Sequence, residues 1–200
     1  MNMTTPPLEK HPWPPFVPAS AQVLFLGTFP PQPKRWAMNF YYPNPTNDFW
    51  RIMGLIFTGD ADSFYIRSSR TYRLDDIKRL LTEKGIALAD TGVEIRRLKG
   101  NASDAHLQIV TPLNLQALLT DMPHCHALAT TGEKAATVLA ELTGSAIPAI
   151  GDTATVAIGD HTLTHYRLPS SSRAYPLALD KKAVFYRNMF IDLGIIPSTV

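Results

Sequence analysis

The sequence predicts an α/β protein, a three-layer αβα sandwich around a mostly parallel central sheet of about four strands. Short apolar runs alternate with amphipathic helical stretches along most of the chain, the rhythm of a parallel sheet covered on both faces. Prolines and glycines punctuate the boundaries between them. At 200 residues, with 45% hydrophobic and 18% charged side chains, the chain is long enough to bury the core of one domain.

Residues 1–20 are proline-rich and predict an extended arm packed on a single domain at 21–200; eleven of the seventeen prolines fall within the first 45 residues. The arm is expected to hold no regular structure. The first strand is "QVLFLGTF" (22–29), a continuous apolar run suited to burial on both faces. Pro30, Pro31 and Pro33 end it and open a long loop to residue 46. Asn47 suits a helix cap for "DFWRIMGLIF", with Asp48 in the favourable first turn. "DDIKRLLTEKG" (75–85) is an amphipathic helix stopped by glycine, and "IALADTGV" (86–93) a second strand. A helix over 113–122, a strand "HALATTG" (126–132) and a helix "EKAATVLAEL" follow. A hairpin over 155–170 delivers Pro169 and Ser170 at the end of its second arm, and residues 179–194 form the closing helix.

No apolar run is long enough to span a bilayer, and the N-terminus lacks the order of a secretory signal. The single cysteine, Cys125, excludes an internal disulfide and fits a reducing compartment, so a cytoplasmic protein is expected. A net charge of +2 is no global basic signature, though basic residues cluster at 34–35, 67–73 and 96–99. Such clusters suit a solvated surface or a phosphate-contacting rim.

In parallel sheets, ligands bind beyond the carboxyl ends of the strands. Those ends are "GTFPP", "ADTGV", "TTGEK" and "RLPSSSRAYP". None carries the spaced glycines of a dinucleotide fold, a P-loop or a nucleophilic serine elbow. The six histidines have no ligand spacing with Cys125, so neither a metal nor a cofactor is expected. His124 and His126 read as ordinary surface or core residues.

Taken together, "VLFLGTFPP…FYYPNPTNDFWRIM" and "YRLPSSSRAYP" resemble the two signature motifs of the uracil-DNA glycosylase superfamily. The nearest branches are the mismatch-specific uracil-DNA glycosylases and the deoxyinosine (hypoxanthine) DNA glycosylases. The likeness runs over roughly residues 20–190, with "EKGIALADTGV" and "LATTGEKA" in the expected order. Its most specific part is Asn47, Phe49 and Trp50, preceded by Tyr42 and Pro45.

The resemblance implies a monofunctional, monomeric DNA glycosylase of base excision repair. Such an enzyme flips uracil or hypoxanthine out of double-stranded DNA and hydrolyses its N-glycosidic bond, without a cofactor. It implies a base pocket of Gly27, Thr28, Phe29, Tyr42 and Ser170, with Tyr42 stacking on the flipped base and Tyr41 turned into the core. Ser171, Ser172 and Arg173 match the loop that enters the minor groove, and Arg173 is expected to act at the DNA rather than in the fold. Phe29 stands where mismatch-specific relatives hold their water with an asparagine, and Ser170 replaces a histidine or asparagine that bonds the leaving base. Asn47 is therefore the first catalytic candidate, with Asp90 and Asp104 as further carboxylates able to polarise a water. Each of the three equally suits a cap or turn. Two alternatives stay open: a catalytically weakened DNA-binding member of the same fold, and an α/β enzyme acting on small nucleotides.

Overall fold

Every residue of Val23–Gly27 (β2) is buried, which a strand achieves only when both its faces are covered. The computed structural model describes residues 6–99 and 106–198 and shows what covers them. Before β2 lies Leu8–Lys10 (β1); after it come helix α1 (Phe49–Phe57) and a small hairpin of β3 (Tyr65–Ile66) and β4 (Thr71–Tyr72). Then follow α2 (Leu74–Lys84), β5 (Ile86–Asp90), β6 (Gly92–Arg97), β7 (Leu107–Pro112), α3 (Leu115–Thr120) and β8 (Ala127–Thr131). The chain closes with α4 (Glu133–Thr143), β9 (Thr153–Ile158), β10 (His161–Leu168) and α5 (Leu179–Asp192).

The central sheet has five strands in the order β5-β2-β8-β10-β9. Its first four are mutually parallel, and β9 is added antiparallel at the edge by the expected hairpin. Side chains alternate across it. Val23 and Phe25 join Ile77 and Leu81 of α2, Phe49 and Ile52 of α1, and Tyr186 and Phe190 of α5. Leu24 and Leu26 pack instead with Leu115 and Leu119 of α3 and Leu139 of α4. The sandwich is thus three layers deep, as the alternating pattern predicts. Gly85 closes α2 in the left-handed conformation at φ 65°, accepting the role the sequence suggests for it.

Two expectations are corrected. The stretch 86–93 is not one strand: β5 ends at Asp90 and the chain crosses at Thr91 into β6, which belongs to a separate antiparallel sheet β1-β6-β7. The crossing is set by the Thr91 and Gly92 N–H groups, which donate to the Gly27 and Thr28 carbonyls at 2.9 and 3.0 Å. The arm is not wholly irregular either. Its proline-free window supplies β1, paired with β6 from Leu8↔Arg96 to Lys10↔Glu94. Proline lacks the donor a ladder needs, so pairing is confined to that window and to a bridge between Phe16 and Leu88. Among the described residues, no helix is long and apolar enough to cross a membrane.

Candidate active site

The carboxyl ends of β2, β5, β8 and β10 open into a pocket of about 910 Å3. Its floor begins with a register pair: Gly27 and Asp90 are neighbours at the ends of two parallel strands. A Cβ on Gly27 would lie 2.4 Å from Asp90 Oδ1, so only glycine lets this carboxylate lie across β2. Asp90 is 9% exposed and lines the pocket. Thr28 and Phe29 line it as well. The Phe29 ring meets His11 edge-on at 5.3 Å, and the Arg97 guanidinium lies 5.6 Å from its centroid.

Tyr42 forms the next wall. Its ring lies flat on Phe49, with centroids 3.8 Å apart and planes within 7°, and its hydroxyl bonds Thr131 Oγ1 at 2.8 Å. The backbone at Tyr42 is left-handed, φ 52°, a conformation that costs a non-glycine residue free energy and concentrates at functional sites. That reversal separates the two tyrosines. Tyr41 is 2% exposed, its hydroxyl donates to the Pro14 carbonyl, and burial, with the nearby Asp90 charge, pushes that hydroxyl well above its ordinary value.

Asn47 lines the same pocket, and its Oδ1 accepts the Phe49 N–H at 2.9 Å. Helix α1 starts at Phe49, so Asn47 ties down the helix entrance from one residue before the capping position, which Asp48 occupies. Asp48 makes no cap bond. Its carboxylate, 5% exposed, turns away to receive Lys182 Nζ and Arg173 Nε, each at 3.0 Å.

The loop after β10 closes the pocket. Ser170 lines it and accepts the Ser172 N–H on its hydroxyl. Asn47 and Ser172 form a backbone bridge, and the Asp48 N–H donates to the Ser171 carbonyl at 2.8 Å. The two sequence motifs are therefore joined by main chain.

Of the residues expected at the DNA, Ser171 is 2% exposed and sits in the base of the loop, while Ser172 and Arg173 are exposed. Arg173 is also held by the fold, since it donates to Asp48 and to the Pro45 carbonyl; the expectation of an arginine free of structural ties is corrected. Of the basic clusters, Arg35 reaches the pocket mouth, whereas Arg97 is buried against Glu9 and the Pro30 carbonyl. His124 and His126 are exposed. Asp104 lies outside the described residues.

Sequence reasoning missed Asp48, Thr131, Lys182 and His11. Thr131 is signalled only by its place at the end of β8. The charges of Asp48 and Lys182 look like ordinary helix surface in the sequence, and only their burial distinguishes them.

No family model matches the chain, and no curated protein matches it in sequence. Among solved structures, it is similar to the solution NMR structure of a "putative Uracil DNA glycosylase" from Methanosarcina acetivorans. The two chains are 20% identical, with a TM-score of 0.61 over 92% of this chain and 99% of that one. At that identity the likeness is one of fold.

Proposed function

We propose that the protein is a DNA glycosylase that flips a deaminated base, uracil or hypoxanthine, out of duplex DNA and hydrolyses its N-glycosidic bond. The observation that carries this reading is the Tyr42 ring, braced flat against Phe49 at 3.8 Å in a wall of the pocket that Asn47, Asp90 and Ser170 also line. An extruded base needs a rigid aromatic face and a few converging polar groups, and this pocket offers both. The "putative Uracil DNA glycosylase" description of the Methanosarcina acetivorans protein of similar fold supports the reading.

In this reading Tyr42 stacks on the base and the Ser170 hydroxyl bonds it. Asn47 holds the attacking water, since an amide both accepts and donates. Ser172 and Arg173, on the exposed edge of the loop, meet the DNA backbone. The bond to the base breaks with its electron pair leaving on the base, and water adds to the sugar carbon.

Phe29 favours a second reading. An apolar ring stands where the mismatch-specific glycosylases that the sequence resembles hold their water, which suits a DNA-binding protein of this fold with weakened catalysis. One experiment separates the two. Duplexes carrying a single uracil, hypoxanthine or xanthine are incubated with the full chain and the abasic sites cleaved by alkali. Strand scission at one of these bases supports the glycosylase. Tight binding to an abasic-site duplex without scission on any base would replace it by the binding module.

A further inference from the structure

His11 comes from the proline-rich arm, yet its imidazole packs behind the wall of the site, against Asp90 and Phe29, which line the pocket. Its Nε2 lies 2.9 Å from Asp90 Oδ2, and both side chains are 8% exposed. The ring stacks on Tyr41 at 5.5 Å and meets the edges of Trp13 and Phe29 at 5.7 and 5.3 Å. Main chain fixes it on both sides. The His11 N–H donates to the Val93 carbonyl at 2.8 Å, and Phe16 and Leu88 exchange two hydrogen bonds at 2.9 Å. The arm thereby brackets Asp90 along the outer edge of β5.

The other ring nitrogen, Nδ1, meets the Trp13 backbone, 2.7 Å from its carbonyl oxygen and 3.2 Å from its N–H. A carboxylate offers only lone pairs, so at the Asp90 contact the imidazole Nε2–H is the donor.

We propose that His11 is a positioning residue of the active site, an arm-borne imidazole whose Nε2–H fixes Asp90 Oδ2 and leaves Oδ1 over Gly27 to act in the pocket. The proposal deepens the glycosylase reading and rests on it. As the bond from the sugar C1′ to the base nitrogen breaks, its electron pair leaves on the base. The water oxygen bonds C1′, the water proton passes to Asp90 Oδ1, and the base anion takes a proton from solvent. Afterwards the Asp90 carboxyl returns its proton to solvent. A carboxylate free to rotate would be misaligned for that transfer, and the loss is read as turnover rather than as affinity.

The test uses the full chain, labelled with 15N at histidine. Ring correlation spectra of wild type under assay conditions should show the proton on His11 Nε2, and Asp90→Asn should lose it to exchange. On whichever duplex wild type cleaves, His11→Ala should lower kcat about tenfold to a hundredfold with KM unchanged. His11→Gln, whose amide can still donate to Oδ2, should recover most of the turnover. A wild-type His11 with no proton on Nε2, full turnover in His11→Ala, or a Gln variant as slow as the Ala variant each overturns the proposal. Should wild type excise no base, the glycosylase reading falls, and the ring protonation alone decides whether His11 and Asp90 share this pair.

Discussion

Asp48 and Lys182 face each other at 3.0 Å with side chains 6% and 1% exposed, and this ion pair fastens the two sequence motifs of the site together. Asp48 precedes α1; Lys182 lies near the start of α5 and also donates to the Ser172 carbonyl at 2.7 Å. A buried ion pair is weak evidence of net stabilisation, because desolvation offsets much of the attraction. Its role here is geometric: it fixes where the loop after β10 stands relative to the Tyr42 wall.

Asp48→Asn should therefore be more damaging than Lys182→Met. Removing the carboxylate's charge leaves the buried ammonium without its counter-ion, at a cost of about 3–5 kcal/mol. Removing the lysine leaves Asp48 still served by Arg173, so its cost should fall below that range. Urea unfolding of both variants measures the order, and a reversed order would show that the lysine, not the carboxylate, organises the cluster.

Acid should loosen the same clasp. Burial alone would raise the Asp48 carboxyl, but hydrogen bonds from Lys182 and Arg173 outweigh it and hold the carboxyl below its ordinary value. A carboxyl lowered in the folded state contributes stability that is complete above its unfolded value, about pH 4, and is lost as pH falls through the lower folded value. Wild type should lose stability more steeply below about pH 4 than Asp48→Asn does. Parallel acid profiles would remove Asp48 as the source of the effect.

Tyr42→Ala should weaken binding to a duplex with an abasic or flipped-base analogue by about 1–3 kcal/mol, the usual worth of a base–aromatic stack. Tyr42→Phe keeps the ring on Phe49 while giving up the hydroxyl and its bond to Thr131, so it should retain most of that affinity. Fluorescence anisotropy on one labelled duplex compares all three proteins. Wild-type affinity in the Ala variant would take Tyr42 out of the site.

What could be read from the sequence was what depends on local pattern. β2, α2, β8 with α4, the β9–β10 hairpin and α5 all announce themselves by apolar periodicity and by glycines at their ends. The sheet β1-β6-β7 did not, because its strands are short or half exposed and Leu8–Lys10 is only three residues among prolines. The same division runs through the site. Gly27, Tyr42, Asn47 and Ser170 lie in two contiguous motifs and were legible; all four line the pocket. His11 meets Asp90 across 79 residues, through a pairing of β1 with β6 that no local signal encodes. Arg173 was legible as a residue of the loop but not as a partner of Asp48, 125 residues away.

Arg173→Ala has two expected effects because the side chain has two faces. It is 46% exposed, so loss of its contact with Asp48 should lower stability by no more than about 1 kcal/mol. DNA affinity should fall more, with the salt dependence of binding flattened by about one unit of slope if the guanidinium neutralises one phosphate. Titrations at several salt concentrations beside thermal unfolding separate the effects. A large drop in melting temperature with an unchanged salt slope would make the arginine purely a strut.

Asn47 carries the sharpest prediction because its side chain has one structural bond and one free task. Its Oδ1 accepts the Phe49 N–H at 2.9 Å at the entrance to α1, and losing a side-chain bond of this capping kind to alanine costs about 1 kcal/mol. If the amide also holds the attacking water, Asn47→Ala should lose most base excision while still binding an abasic-site duplex. Asn47→Asp tests the same point from the other side. A carboxylate keeps the bond to the Phe49 N–H and suits the positive end of the helix, so the fold should hold. It cannot donate as the amide nitrogen does, so excision should remain impaired. Full excision by a folded Asn47→Ala protein would reduce Asn47 to a structural tie at the entrance to α1 and shift the water to Asp90.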